Sequence, residues 1–468
     1  MRERKIRSGS RAGFAGRVLL LAMFGLMFTA CGSNTNRGVS GTVAAGGTVL
    51  SGVTVKLSGN TTITTTTASD GTFSFSDVPE GTYSLTPTLS GYVFTPASRA
   101  VYLSGIDGSG FNFYGYVDGK ISASTHTLYL NNDSTLSAWG GNAYGQLGNG
   151  STTDVLLPQV LTTVASVTGM VTGVDHTVAM KSDGTVWAWG NNSNGQLGDG
   201  TTTNRSTPVQ VSGLSGVTAV AAGYKYSLAL KSDGSVWAWG YNNKGQLGNT
   251  TTTDSTVPVA TTLTSGITAI EAGFAHAVAL TSDTYVWTWG YNSNGQLGNG
   301  TMTDSSTPAS TGITALAIAA GDYHTLALQQ YTTTSQKVLA WGKNTNGQLG
   351  NATLTDSASA VTVSSLSTVV AIAAGSDHSL ALLADGTVWA WGLNDAGQLG
   401  NGTTTDGTVP VQVSGLSGIK AVAAGDGDGF ALKLDNTLWA WGSRVNGRLG
   451  DGYSTSYVST PVKIQSPE

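Results

Sequence analysis

The residues of this chain best suited to chemistry are its five histidines. His126, His176, His276, His324 and His378 fall at one position of a recurring unit. Imidazole is a common metal ligand, so a ring of five invites a metal reading. Spacing argues against it. Equivalent positions in successive units stand about one unit apart, whereas a shared ion needs each nitrogen within ~2.1 Å. Tyr226 and Asp428 take the same position in the other two units. A structural hydrogen bond at the end of a strand is the expected role.

The carboxylates point the same way. Asp154, Asp254, Asp304, Asp356 and Asp406 share a second repeat position, which Asn204 and Ser456 fill elsewhere. Asp and Asn there suit turn caps. Asp426-Gly427-Asp428-Gly429 is the nearest approach to a calcium loop, and it lacks the further ligands that such a loop needs. No metal and no cofactor is expected. There is no G-x-S-x-G and no Walker loop, and the chain has a single cysteine, Cys31. The chain is therefore not expected to be an enzyme.

The elements that carry these positions follow from the repeat. Trp-Gly pairs at Trp139, Trp189, Trp239, Trp289, Trp341, Trp391 and Trp441 are separated by 50, 50, 50, 52, 50 and 50 residues, by subtraction. A fixed period of this size marks a solenoid or a propeller. In one unit, Val217–Gly223 and the alternating Ser227–Lys231 make two strands. Asp233-Gly234 is a hairpin turn, Ser235–Trp239 a third strand, and a fourth lies near Pro258-Val259. Four short strands repeated seven times predict a propeller. All twelve tryptophans lie in the units, and W-x-W is expected to bury both indoles between blades. The last strand, near Thr460–Ile464, is expected to complete the sheet that the first strands begin, closing the ring.

The motifs A-A-G-x-x-H-x-L-A-L, D-G-x-V-W-A-W-G and N-x-x-G-Q-L-G resemble the regulator of chromosome condensation repeat family. The resemblance covers about three quarters of the chain and implies a seven-bladed β-propeller over 117–468. For function it implies a scaffold, exchange-factor or binding role without choosing among them.

Ahead of the array, Arg2, Arg4, Lys5, Arg7, Arg11 and Arg17 precede the apolar run Val18–Ala30. That run is too short to span a bilayer, which takes about 20 residues, and it fits a signal peptide over 1–30. Phe28-Thr29-Ala30-Cys31-Gly32 resembles a bacterial lipoprotein cleavage box. That implies acylation of Cys31, a tether over 31–37, and a lipid-anchored location in the bacterial cell envelope, at the outer membrane or cell surface. From 38 to 116, alternating runs such as Val53–Leu57 and Thr72–Phe75, with turns about every ten residues, predict a β-sandwich. S-G-T-V, D-G-T-F-S-F and V-P-E-G-T-Y-S-L resemble carboxypeptidase regulatory-like domains, an Ig-like or prealbumin-like sandwich that implies a spacer. The fold class is all-β.

Charge narrows the partners. The chain has 22 Lys+Arg and 27 Asp+Glu; without the six bases and one acid of residues 1–30, the rest carries 16 against 26, a net of −10. A nucleic-acid binder shows a basic footprint, so none is expected. Antiparallel strands put the loops after strands one and three on one face. There the units differ most, with Tyr224, Lys225, Tyr241, Phe274, Tyr291, Tyr323, Lys343 and Arg444. Aromatic and basic residues on loops compose interface hot spots. This face is expected to bind a protein or a cell-surface polymer. The alternatives are a structural surface protein without a ligand and a polysaccharide-active enzyme.

Overall fold

Strands form where the sequence alternates, and they end where it supplies a left-handed turn. In one unit the chain runs as Val217–Ala222, Tyr226–Lys231, Val236–Gly240 and Ser255–Ala260, paired antiparallel in that order from axis to rim. Gly234 turns the second strand into the third at φ +78°, a conformation that glycine adopts without steric cost. Asp233 Oδ1 accepts the Ser235 N–H at 2.9 Å and closes that turn.

The structure is a computed structural model that describes residues 36–117, 119–331 and 335–465. The unit recurs in seven four-stranded sheets, here blades 1 to 7. Their innermost strands are Ile121–Ala123, Val167–Thr172, Val217–Ala222, Ile267–Ala272, Ala317–Ala320, Val369–Ala374 and Ile419–Ala424. Cys31, the signal segment and most of the tether lie outside the described residues. Among the described residues no helix is long and apolar enough to cross a membrane.

The two tryptophans of W-x-W do different work. Trp139, Trp189, Trp239, Trp289, Trp341, Trp391 and Trp441 are all 0% exposed. Each donates its indole N–H to a backbone carbonyl of the preceding blade, as Trp239 does to Gln196 O at 2.8 Å. The earlier indoles, Trp187, Trp237, Trp287, Trp389 and Trp439, are only half-buried. Three of them lie under an ammonium, as Trp237 lies 5.6 Å beneath Lys231. The expectation that both indoles bury between blades holds fully for the second; Trp187, Trp237, Trp287 and Trp439 pack against the same inter-blade clusters but stay half-exposed. Two residues along a strand is about 6.6 Å, enough to carry the first indole to the turn end of the blade, where Trp187 Nε1 donates to Thr185 Oγ1 at 3.1 Å.

Closure also differs from expectation. The last strand, Tyr457–Lys463, pairs with Leu438–Ser443 of its own blade, and blade 1 is built from its own four strands. Among the described residues no sheet mixes the two ends. The ring closes face to face: Trp139 Nε1 and Thr127 Oγ1 of blade 1 both donate to Arg448 O of blade 7 at 2.9 Å. Tyr129 and Trp139 share one apolar cluster with Ala421, Phe430 and Leu432.

The amino-terminal sandwich stacks two sheets. One runs Thr48–Val49, Arg37–Ala45, Phe113–Tyr116, Val93–Thr95, with Thr72–Val78 also on Arg37–Ala45. The other runs Thr62–Thr66, Thr54–Gly59, Gly81–Thr88, Arg99–Leu103. Val43, Val55, Leu57, Phe73, Leu85 and Phe113 fill the space between. The sandwich sits on the face of the ring that carries the Asp-Gly turns: Gly47 N donates to Ala384 O at 3.0 Å, and Val117 N to Lys420 O at 2.7 Å. The variable loops therefore point away from it.

Candidate functional site: the loop face of the propeller

Each blade presents two loops on this face, and each loop is fixed by its own repeat chemistry. The first follows A-A-G. At Gly173 a Cβ would meet the His176 ring at 2.2 Å and Gly223 O of the next blade at 2.7 Å, so only glycine lets the blades approach there. The second follows Trp-Gly. Asn242 holds it: Oδ1 accepts the Leu247 N–H at 2.9 Å, and Nδ2 donates to Thr251 O and Thr253 O at 3.1 and 3.0 Å. Asp254 Oδ1 accepts the Asn242 N–H at 2.8 Å. Asp154, Asn204, Asp304, Asp356 and Asp406 do the same in their units. The acidic repeat position is a turn cap.

Rigid loops of this kind hold aromatic side chains in register. Tyr224, Phe274 and Tyr323 occupy the first loops of blades 3, 4 and 5, and Tyr291 the second loop of blade 4. Tyr224 stacks on Phe274 with centroids 4.3 Å apart and planes 10° apart. Phe274 meets Tyr323 at 5.2 Å, and Tyr323 meets the edge of Tyr291 at 6.1 Å. Pairs at these separations contribute ~0.5–1.5 kcal/mol beyond area burial. All four rings are half-buried, so the stack is a braced surface rather than a set of free loop tips. Among the described residues no ring contact joins Tyr241 to it; that residue is half-buried, and its backbone N–H donates to Lys225 O at 2.9 Å.

The basic residues divide. The Lys225 ammonium lies 5.0 Å from the Tyr224 centroid. Lys343 lies 5.5 Å from the Tyr323 centroid and pairs with Asp377 at 2.9 Å. Arg444 is remote from the stack in blade 7, paired with Asp451 at 2.6 Å and lying over Tyr453. Lys343 and Arg444 are thus both ion-paired within the face. Sequence reasoning missed Lys244, which lies 5.0 Å from the Tyr291 centroid and pairs with Asp304 at 3.1 Å. Its signal was the variable slot just before G-Q-L-G.

Acids fill the rest of the face. Asp426 accepts from Ser376 at 2.5 Å and from Arg448 at 3.2 Å. Burial, helped by the charges of Asp426 and Asp377, pushes the Asp322 carboxyl up to about 7. Burial likewise raises Asp175, against the opposing charge of Lys225. Burial raises the Tyr323 phenol to about 12, so it stays a hydrogen-bond donor at neutral pH.

The histidines do not reach this surface. Each is at most 1% exposed. Nε2 of His126, His176, His276 and His324 meets Thr177, Ser227, Thr325 and Ser379 of the next blade at 2.7 to 3.1 Å. Burial holds these four imidazoles down at about 3. They are neutral inter-blade locks. Among the described residues no group of three His, Cys, Asp or Glu could hold a metal ion. The axial cavity, about 540 Å³, is lined by the innermost strands with Glu271 as its carboxylate. Its mouth on the loop face, about 70 Å³, carries Asp426. The paired acids of a polysaccharide-cleaving cleft are not found in that lining.

Comparison with known proteins fits this architecture. An RCC1-like domain model matches residues 216–468, just over half of the chain. Regulator of chromosome condensation (RCC1) repeats match 135–180 and 183–230, and again 167–196. A carboxypeptidase regulatory-like domain matches 38–113. No curated protein matches by sequence. Among solved structures, yeast RCC1 (Prp20) bound to Kap60 is 23% identical with a TM-score of 0.65, over 75% of this chain and 86% of that one. Prp20p from Saccharomyces cerevisiae, whose structure was reported with its binding properties to Gsp1p and histones, is 25% identical with a TM-score of 0.64, over 73% and 88%. Human WBSCR16 is 23% identical with a TM-score of 0.57, over 73% and 92%. These likenesses concern the propeller fold. The chain belongs to the RCC1-like propeller family and carries a carboxypeptidase regulatory-like domain in front of its ring.

Proposed function

We propose that this protein is a binding scaffold of the bacterial cell envelope, anchored by a lipid on Cys31, whose loop face captures a protein partner. The observation that carries the reading is the continuous stack Tyr224–Phe274–Tyr323–Tyr291, half-exposed and held by rigid loops. Aromatic side chains offer large contact area at low entropy cost, and bracing lowers that cost further. The scaffold role accords with an RCC1-like propeller. The docked sandwich supports the orientation: it occupies the opposite face, so an anchor ahead of it leaves the stack free. Alanine at the two ends of the stack, Tyr224 and Tyr291, should weaken capture at least tenfold, about 1.4 kcal/mol. The same changes at Lys231 and Asp233, on the turn face, should leave capture unchanged. Equal loss from both faces, or from neither, returns the protein to a purely structural role.

A further inference from the structure

The repeat makes a defect visible. The repeat allows the histidine position of one blade to reach forward to a hydroxyl in the next, at the residue after that blade's own histidine position. Four junctions carry the lock as His–Thr or His–Ser. Between blades 3 and 4 the hydroxyl is lost to Ala277, and Tyr226 compensates by donating its phenol to His276 O. The remaining two junctions have no substitute. Between blades 6 and 7 the hydroxyl position is Gly429, and the Trp441 indole fills the space where its Cβ would stand, 2.5 Å away. His378 is left with the backbone of Asp428, and its buried Nε2 meets no hydroxyl. Between blades 7 and 1 the histidine is replaced by Asp428, fully buried, and neither carboxylate oxygen finds a side-chain partner among the described residues. This second junction is also the one that no chain connection crosses.

These two junctions are the ones the sandwich covers from the other face. Tyr114 and Tyr116 pack into the apolar cluster shared by blades 6 and 7, beside Leu382, Ile419 and Trp441. Tyr92 and Val117 pack into the cluster shared by blades 7 and 1. Backbone and hydroxyl donors tie the same module to both blades: Thr95 Oγ1 to Val370 O at 3.2 Å, Gly47 N to Ala384 O at 3.0 Å, and Val117 N to Lys420 O at 2.7 Å. We propose that the amino-terminal sandwich is a clamp that holds blade 7 in the ring across its two unlocked junctions, so that releasing the clamp opens the propeller there. The sandwich is then more than a spacer, and force or a ligand acting on it is transmitted to one blade.

Amide hydrogen exchange of the full chain tests this, because local opening is read element by element. The variant Tyr114→Ala/Tyr116→Ala should speed exchange at least tenfold in blade 7, residues 419–463, and leave blades 3 and 4 within twofold of wild type. Should that double variant fail to fold, Tyr116→Ala alone should give the same pattern at about threefold. Adding Asp428→His, which rebuilds the lock to Thr127, should recover at least half of the lost protection on a logarithmic scale. Exchange that rises equally in all blades, or an unchanged blade 7, overturns the clamp. A failure of Asp428→His to slow exchange in either background overturns the missing lock as its cause.

Discussion

Truncating one tryptophan of each kind separates the middle of the blade interface from its turn end. Trp239 is 0% exposed, lies in the cluster between blades 2 and 3, and donates its indole N–H to Gln196 O at 2.8 Å. Removing a buried tryptophan costs about 3–5 kcal/mol in lost transfer and cavity terms. The lost hydrogen bond adds about 1 kcal/mol at most, since Ser227 Oγ still donates to the same carbonyl at 2.9 Å. Trp239→Ala should therefore cost about 3–6 kcal/mol, a large part of the 5–15 kcal/mol that typically holds a domain. Trp237 is half-buried under Lys231. About half of an indole's ~200 Å² at ~25 cal/mol/Å² gives roughly 2.5 kcal/mol as an upper bound. Trp239→Phe, which keeps most of the volume, should fall between the two. Urea unfolding followed by circular dichroism is the assay, because the substitutions themselves alter fluorescence. If Trp237→Ala costs as much as Trp239→Ala, the assignment of a fully buried role to the second indole and a half-covered one to the first is wrong.

Other expectations follow from the same geometry. The four locked histidines titrate at about 3 and His378 at about 4 when folded, below the 6.5 of the unfolded chain. The unfolded state then binds more protons in that window, so stability should be intact above about pH 6.5 and fall steadily toward pH 3. At pH 5 each contributes a loss of about 2 kcal/mol, and a urea midpoint that stays flat from pH 7 to 5 would contradict the locks. Asp428 has the opposite sign: burial raises it to about 8, so its favourable share is present below the unfolded value of 3.8 and is lost as pH rises through 8. Asp428→Asn should raise the melting temperature at pH 8 and leave it nearly unchanged at pH 4; equal shifts at both pH values would count against a buried, unpaired carboxyl. Cys31→Ala should abolish acylation and release the protein from membranes, and mass spectrometry showing an unmodified wild-type amino terminus would refute the anchor.

Much of the propeller was legible because its unit is repeated: a turn or strand inferred once is inferred seven times. The loop face was legible for the same reason, since strand polarity fixes which loops share a side. Four of its five aromatics do meet. What was not legible depends on contacts between units. W-x-W reads as two equivalent residues on one side of a strand; both face the neighbouring blade, but only the second is fully covered by it. Lys343 finds Asp377, 34 residues on, and nothing local in the sequence announces that pair. Closure was misread because a terminal strand that matches its predecessors suits either a shared or a self-contained blade, and the register that decides it is set by packing. The locks did leave a trace. Four of the five histidines are followed, one unit later, by Thr or Ser at the next position; where Tyr226 replaces histidine that residue is Ala277, and after His378 it is Gly429.

The claim that the loop face captures a protein partner is tested most directly by photo-crosslinking in intact cells. A photoreactive side chain at Tyr291, on the half-exposed end of the stack, should yield one discrete adduct that disappears in the Tyr224→Ala background. The same probe at Asp233, on the turn face, should yield none. An adduct from Asp233 alone, or the same adducts from both positions, would contradict the account.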